Sequence, residues 1–254
     1  MKEAFDLNQY MNHHMLNGNE WNIPFLPPIH LPGYLSLHGL MLLICFLILT
    51  FVFIFIYDKK TRMPKGITNL LEMVVLFVRN EIAVAHFGEE EGRKMAPLLC
   101  TFFFFILTLN LMGLIPVFST ATSNVNVTVG LALITLFFMI FGAIYKNGLK
   151  GFLHALIPSG VPWPVLFILV PIEVAGLFIK CFALTIRLFA NMLAGHIVII
   201  SLLGIVIILG KAALPAVALA VGIYILEVFV AFLQAYIFTL LSAMFIGQMY
   251  HPAH

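Results

Sequence analysis

The chain contains few charged residues: Asp, Glu, Lys and Arg make up 9% of its 254 residues, whereas a soluble globular domain has about 25%. Hydrophobic residues make up 62%. The formal net charge is only +2, and no cluster of lysine and arginine forms the basic patch that a nucleic-acid-binding protein needs. This composition excludes a soluble globular domain, predicts no nucleic-acid partner and indicates an integral membrane protein.

The chain also has few metal-binding or redox motifs. Its three cysteines, Cys45, Cys100 and Cys181, lie far apart in apolar runs, and their spacing fits neither a zinc site nor a redox CxxC motif. We interpret them as packing residues. The N-terminal histidines His13, His14 and His30 match no standard metal-site spacing. No metal and no cofactor are therefore predicted.

The N-terminus lacks the apolar segment of a signal peptide. Residues 1–35 are polar and become proline-rich toward their end, which predicts an extramembrane arm with irregular structure. The first membrane span is then expected to act as its own insertion signal.

Residues 36–254 read as a single membrane domain with about five membrane helices. The apolar runs predict spans at about 38–57, 95–115, 127–145, 165–209 and 212–248. The segment 67–87 is apolar but carries Glu72, Arg79 and Glu81, which favours an amphipathic helix on the membrane surface.

The last two apolar runs are too long to cross a bilayer upright. As helices they would measure roughly 68 Å and 55 Å, against a hydrocarbon core of about 30 Å. Since neither run contains a polar break, we expect a strongly tilted hairpin that turns at Gly210-Lys211. The predicted fold class is thus an all-α integral membrane protein with two long tilted helices at its end.

Lysine and arginine placement predicts the orientation of the spans. In a five-span topology, nine of these residues fall on one side and only Lys2 and Lys211 on the other. The positive-inside rule then places the N-terminus outside and the C-terminus in the cytoplasm. The nine are Lys59, Lys60, Arg62, Lys65, Arg79, Arg93, Lys94, Lys146 and Lys150.

Charged side chains in the long runs form a stripe. Glu173, Lys180 and Arg187 are spaced seven residues apart, so they share nearly one helical face that drifts by about 20° per step. A charge near the centre of a membrane helix costs about 2.5–3.5 kcal/mol on insertion scales, and such residues usually have a function.

Folding the hairpin at Gly210-Lys211 places residues on its two arms at matched depths. Arg187 comes level with Gln234, and His196 comes level with Glu227. This arrangement suits two offset proton paths. It has a titratable pair near the turn, a fixed cation at mid-depth and the Glu173 carboxylate near the opposite end. Histidine and glutamate exchange protons near neutral pH, whereas arginine keeps its proton.

Structural roles remain as alternatives for each of these residues. Arg187 could be a structural cation bonded to carbonyls and to Gln234, and His196 with Glu227 could be a buried ion pair. Lys180 could pair with Glu173 or extend its ammonium to the membrane surface. Intramembrane asparagines such as Asn110 and Asn191 commonly form hydrogen bonds between helices.

Three motifs resemble subunit a of F-type ATP synthases. They are LTIRLFANMLAGH (184–196), FLQAYIFTLL (232–241) and LNLMGLIP in the second span. The resemblance covers most of the chain after about residue 36. It implies one upright N-terminal span, an amphipathic surface helix, a hairpin, and two long tilted helices that curve around a rotating ring of c subunits.

The resemblance also implies a function, which is proton translocation through two offset half-channels that couples proton flow to ATP synthesis elsewhere in the complex. Such a subunit has no catalytic site of its own. Arg187 matches the essential arginine of the family, which attracts the ring carboxylate and prevents a short circuit. Asn191, His196, Glu227 and Gln234 match outer-channel residues, Glu173 the inner carboxylate, and Lys180 a lysine of some members.

One position departs from the common family pattern. Many bacterial and chloroplast members have a carboxylate where this chain has His196, and here the carboxylate is Glu227 on the second long helix. The exchange resembles the mitochondrial arrangement and that of some bacteria, and it keeps the composition of the pair.

The implied partners are the c-subunit ring, the b-subunit stator stalk, other ATP synthase subunits and the lipid bilayer. The expected location is a bacterial inner membrane, with a mitochondrial inner membrane as the alternative. The alternative functions are a proton-coupled secondary transporter, which would need repeats and broken helices, and a structural membrane subunit that conducts nothing.

Overall fold

The computed structural model describes residues 20–21, 29–32, 36–56, 66–115, 117–156, 162–209 and 214–250. Two short strands, β1 (Glu20–Trp21) and β2 (Ile29–His30), pair antiparallel. The other regular elements in these ranges are helical. They are α1 (Leu37–Phe51), α2 (Ile67–Phe77), α3 (Ala85–Phe87), α4 (Glu89–Leu114), α5 (Val125–Phe137), α6 (Ala143–Leu156), α7 (Trp163–Leu209) and α8 (Leu214–Tyr250), with π-helical turns at Val52–Ile56, Val78–Val84 and Phe138–Gly142 and a 3₁₀ turn at Ala121–Ser123.

Five helices in the described ranges are long and apolar enough to cross a membrane, which confirms the predicted all-α membrane fold. Each predicted span overlaps one of them. The helical segment from α2 to α3 is not among the five, as expected for a surface helix. The five are Leu37–Phe55, Glu89–Leu114, Val125–Leu153, Pro164–Val206 and Leu214–Tyr250.

The last two helices are long and uninterrupted. α7 has 47 residues and continues through Pro171, and α8 has 37 residues. A helix of the length of α7 measures roughly 70 Å, more than twice a hydrocarbon core of about 30 Å. It can therefore stay within a bilayer only when it is steeply tilted. The predicted turn at Gly210-Lys211 lies outside the described residues.

The residues cluster into two compact units. Unit 1 comprises Met1–Thr50, Phe105–Val127 and Arg187–Gln234, and unit 2 comprises Phe51–Phe104, Thr128–Ile186 and Ala235–His254. Within their described parts, each has its own core. The core of unit 1 is formed by Leu37, Met41, Cys45, Leu109, Met112 and Ala121.

Close helix packing in unit 2 depends on small residues and polar pairs. Gly88, with φ 78°, separates α3 from α4, and a Cβ at Gly92 would lie only 2.6 Å from the Cα of Val84. The hydroxyls of Thr135 and Ser242 lie 3.0 Å apart in the buried interior. These contacts bring the helical backbones of unit 2 close together.

The end of α8 is held by residues of the α4 and α6 helices in unit 2. The Asn147 side chain donates to the carbonyls of Met249 (3.3 Å) and Tyr250 (3.0 Å). Lys146 pairs with Glu91, and its ammonium lies 5.3 Å from the centre of the Tyr250 ring. Asn147 thus supplies donors to two of the last carbonyls of α8, which have no partner within the helix itself.

Candidate functional site

The predicted site residues are divided between the two units. Unit 1 contains Arg187, Asn191, His196, Glu227 and Gln234, and unit 2 contains Glu173 and Lys180. The first three residues of the unit 1 group lie on α7 and the other two on α8.

Asn191 and Gln234 connect the two long helices within unit 1. The Asn191 Nδ2 donates to the Gln234 Oε1 across 2.8 Å. Gln234 is buried, and its Nε2 has no hydrogen-bond partner among the described residues. This pair agrees with the interhelical hydrogen bond considered for Asn191, and it leaves one amide donor of Gln234 available.

Arg187 is exposed on α7. Within the described ranges, its guanidinium has no hydrogen bond and no ion pair, and Gln234 bonds to Asn191 instead. The structure therefore does not place Arg187 in the hydrogen bond with Gln234 that a structural cation would require. An exposed guanidinium on an apolar helix is available to a group outside this chain.

Glu227 lies against the backbone of α7 at Gly195. Its side chain is buried, and neither carboxyl oxygen has a hydrogen-bond partner among the described residues. A Cβ at Gly195 would overlap the Oε1 of Glu227, so a larger residue there would require the Glu227 carboxyl to move. Because an unpartnered buried carboxyl is costly, such a group usually has a function or binds a further polar group.

His196 contacts two backbone carbonyl oxygens. Its Nδ1 lies 3.0 Å from the Met192 oxygen, and its Nε2 lies 2.9 Å from the Gly113 oxygen. A neutral imidazole has only one N–H, so both contacts are hydrogen bonds only when the ring carries two protons. The site therefore provides acceptors for both protons of the charged ring and for one proton of the neutral ring.

His196 and Glu227 line the same cavity of about 380 Å³ in unit 1, which we call the His196–Glu227 cavity. The two side chains do not form a direct ion pair, since both imidazole nitrogens face carbonyls. The Tyr224 hydroxyl also lines the cavity and donates to the Leu114 oxygen at 3.3 Å. The remaining wall is mostly apolar, so the titratable groups lie in a low-polarity space.

Asn110 is also buried in unit 1, on α4. It is fully inaccessible, and both of its amide atoms lack a hydrogen-bond partner among the described residues. The hydrogen bond between helices considered for Asn110 is not formed there. A buried amide without protein partners is a place where an ordered water binds.

The predicted residues of unit 2 are separate from each other. The Lys180 Nζ donates to the Gln248 Oε1 at 3.0 Å and lies 5.3 Å from the centre of the Phe245 ring. Glu173 is exposed, and no ion pair joins it to Lys180 in the described ranges. Lys180 is therefore fixed by α8 and not by Glu173.

Several residues of the site could not be found by looking for charge. Gly195 gives room for Glu227, Gly113 supplies the carbonyl for His196, and Gln248 accepts from Lys180. The two glycines did carry a signal, because a glycine in a helix interior costs about 1 kcal/mol and usually has a packing reason. Gln248 gave no comparable signal.

The fold and the site define a class of protein: a multi-pass α-helical membrane protein with buried polar and titratable side chains on its last two helices. The chain matches the ATP synthase A chain family over residues 39–247 and belongs to that family.

Relatives named ATP synthase subunit a are similar to this chain. The protein of Anaeromyxobacter sp. (strain Fw109-5) is 48% identical over 223 residues, which are 85% of this chain and 55% of that protein. The protein of Chloroherpeton thalassium is 47% identical over 252 residues, which are 93% of this chain and 75% of that protein. The chain spans about half the length of the Anaeromyxobacter relatives that it matches.

Proposed function

We propose that the chain is the proton-conducting stator subunit of the membrane sector of a rotary ATP synthase. The observation that carries this proposal is the His196–Glu227 cavity. It is lined by a buried carboxyl without a hydrogen-bond partner among the described residues and by an imidazole with two carbonyl acceptors. Imidazole and carboxyl side chains are the usual proton donors and acceptors of proteins. Catalysis of ATP synthesis takes place on other subunits.

In this proposal, protons enter by the cavity and pass toward a carboxylate on a rotating ring of c subunits. The exposed Arg187 attracts that carboxylate after it has lost its proton. Because arginine keeps its own proton, it blocks direct passage between the two half-channels. The Nε2 of Gln234, which has no hydrogen-bond partner among the described residues, is a further buried donor in unit 1.

The exit path involves the two residues of unit 2. Glu173 is exposed and supplies a carboxylate, and the Lys180 ammonium is held by Gln248. The second half-channel would open between the rotating ring and this part of α7. The unbroken course of α7 and α8 gives no support to a secondary transporter, which would need interrupted helices around a substrate.

The assembly and location follow from the same proposal. The partners are the c ring, the b-subunit stator stalk and the other ATP synthase subunits. The bacterial source of the relatives supports a bacterial inner membrane. The lysine and arginine distribution supports an outside N-terminus and a cytoplasmic C-terminus.

The decisive experiment removes Arg187. Vesicles containing the whole synthase with Arg187→Ala should show no ATP-driven acidification, while ATP hydrolysis by the detached catalytic sector is unchanged. Lys150→Ala, which removes another exposed cation, should pump normally. Full acidification with Arg187→Ala would reject the proposed function, and a requirement for sodium would reject the proton as the coupling ion.

A further inference from the structure

Two described residues of the N-terminal arm, Trp21 and Leu31, pack against the core of unit 1. Trp21 lies in β1, which pairs with β2 in the register Trp21 to Ile29. Its indole is partly buried against the core cluster of unit 1. The described part of the arm is therefore packed on this unit, and the function proposed above gives it no task.

Trp21 makes two contacts to the segment that follows α4. Its Nε1 donates to the Val117 carbonyl at 2.9 Å. Its ring stacks on Phe118, with 6.4 Å between ring centres and 25° between ring planes. The hydrogen bond satisfies a carbonyl beyond the helix end, and the stacking fixes the direction of the next side chain.

Phe118 belongs to the wall of the His196–Glu227 cavity, together with Thr120 and Gly113. The wall is tightly fitted, since a Cβ at Gly113 would lie 2.9 Å from the Cγ2 of Thr120. Gly113 also supplies the carbonyl that faces the Nε2 of His196. One short segment thus connects the arm, the cavity wall and the imidazole.

We propose that Trp21 is a positioning residue for the His196–Glu227 cavity. It braces the segment from Val117 to Thr120, and through Phe118 it fixes the wall of the space in which the two titratable groups lie. This inference rests on the proposed function for its importance to proton entry, but its structural content can be tested separately. It assigns a task to the arm, which the family motifs do not cover.

A thiol-accessibility experiment tests the bracing. In whole synthase whose subunit lacks its three native cysteines, Ile200→Cys places a thiol at a buried position of the cavity wall, and Ser201→Cys places one on the exposed surface of α7 outside the wall. Adding Trp21→Ala should raise the rate at which a water-soluble maleimide labels position 200 by about fivefold, the effect of losing one ordinary hydrogen bond. The rate at position 201 should not change.

Three further variants separate bracing from general loosening. Trp21→Phe keeps a ring for stacking and loses the indole donor, so it should give a smaller rise at position 200. It also decides the question if Trp21→Ala does not assemble. Trp163→Phe changes the only other tryptophan of the sequence and should have no effect. Since Trp21 acts through Phe118, adding Phe118→Ala to Trp21→Ala should raise the rate less than the product of the two single effects.

Three results would overturn the proposal: an unchanged rate at position 200, an equal rise at positions 200 and 201, or independent effects of the changes at Trp21 and Phe118. None of these measurements requires proton transport. If Trp21→Ala raises the labelling rate as expected in a synthase that does not pump protons, the proposed function is rejected and the bracing by Trp21 still holds.

Discussion

Asn191 and Gln234 are joined across the two long helices by a hydrogen bond of 2.8 Å. This bond has two consequences for the site. It uses the amide oxygen of Gln234 and leaves its Nε2 without a partner among the described residues. It also leaves Arg187, one helical turn from Asn191, exposed and available to a group on another subunit.

The first prediction concerns the register of the hairpin. With the native cysteines removed, a cysteine pair at positions 191 and 234 should crosslink readily with a short bifunctional reagent. A pair at 187 and 234 should crosslink more slowly, because Gln234 contacts Asn191. Faster crosslinking of the 187 and 234 pair, measured by gel shift, would contradict the register described here.

The second prediction concerns Gly195. Gly195→Ala should abolish or strongly reduce proton pumping, because the new methyl group would overlap the Glu227 carboxyl. Gly222→Ala is the matched control, since a Cβ there meets nothing within 4 Å, and replacing a helical glycine by alanine stabilises a helix by up to about 1 kcal/mol. ATP-driven acidification of vesicles measures proton pumping by both variants. Normal pumping by Gly195→Ala would show that proton transport does not depend on the place of the Glu227 carboxyl against residue 195.

The third prediction concerns the His196 and Glu227 pair. The double change His196→Glu with Glu227→His should recover more pumping than either single change, because each single change puts two like groups into one cavity. Recovery should be incomplete, since a carboxylate at position 196 cannot donate to the carbonyl of Gly113. Pumping in the double variant that is no higher than in the better single variant would contradict the coupling.

The fourth prediction concerns Lys180. Lys180→Met and Gln248→Leu should be non-additive in a double-mutant cycle of pumping rates, because the two side chains share a hydrogen bond. The coupling should be small, about 0.5 kcal/mol, since Gln248 is exposed and the pair is screened by solvent. The matched cycle of Lys180→Met with Glu173→Gln should be additive. An additive cycle for Lys180 and Gln248 together with a non-additive cycle for Lys180 and Glu173 would instead support pairing of Lys180 with Glu173.

The sequence predicted the two long helices well and their contacts less well. Apolar runs without a polar break require continuous helices, and both α7 and α8 are continuous. Counting residues from the turn brought Glu227 level with His196, and the structure places Glu227 against the adjacent Gly195. Farther from the turn, the same count paired Gln234 with Arg187, whereas the structure pairs it with Asn191. Counting assumes parallel axes, so its error grows with distance from the turn wherever helices cross.

The sequence by itself determined the membrane class, the number of apolar helices and the stripe of charged side chains, because these depend on composition and helical periodicity alone. Only the tertiary structure decided which atoms meet. The carbonyls that face His196, the clearance that Gly195 gives to Glu227, and the stacking of Trp21 on Phe118 join residues far apart in the chain. Such contacts depend on how helices cross and approach, and a one-dimensional pattern does not contain that information.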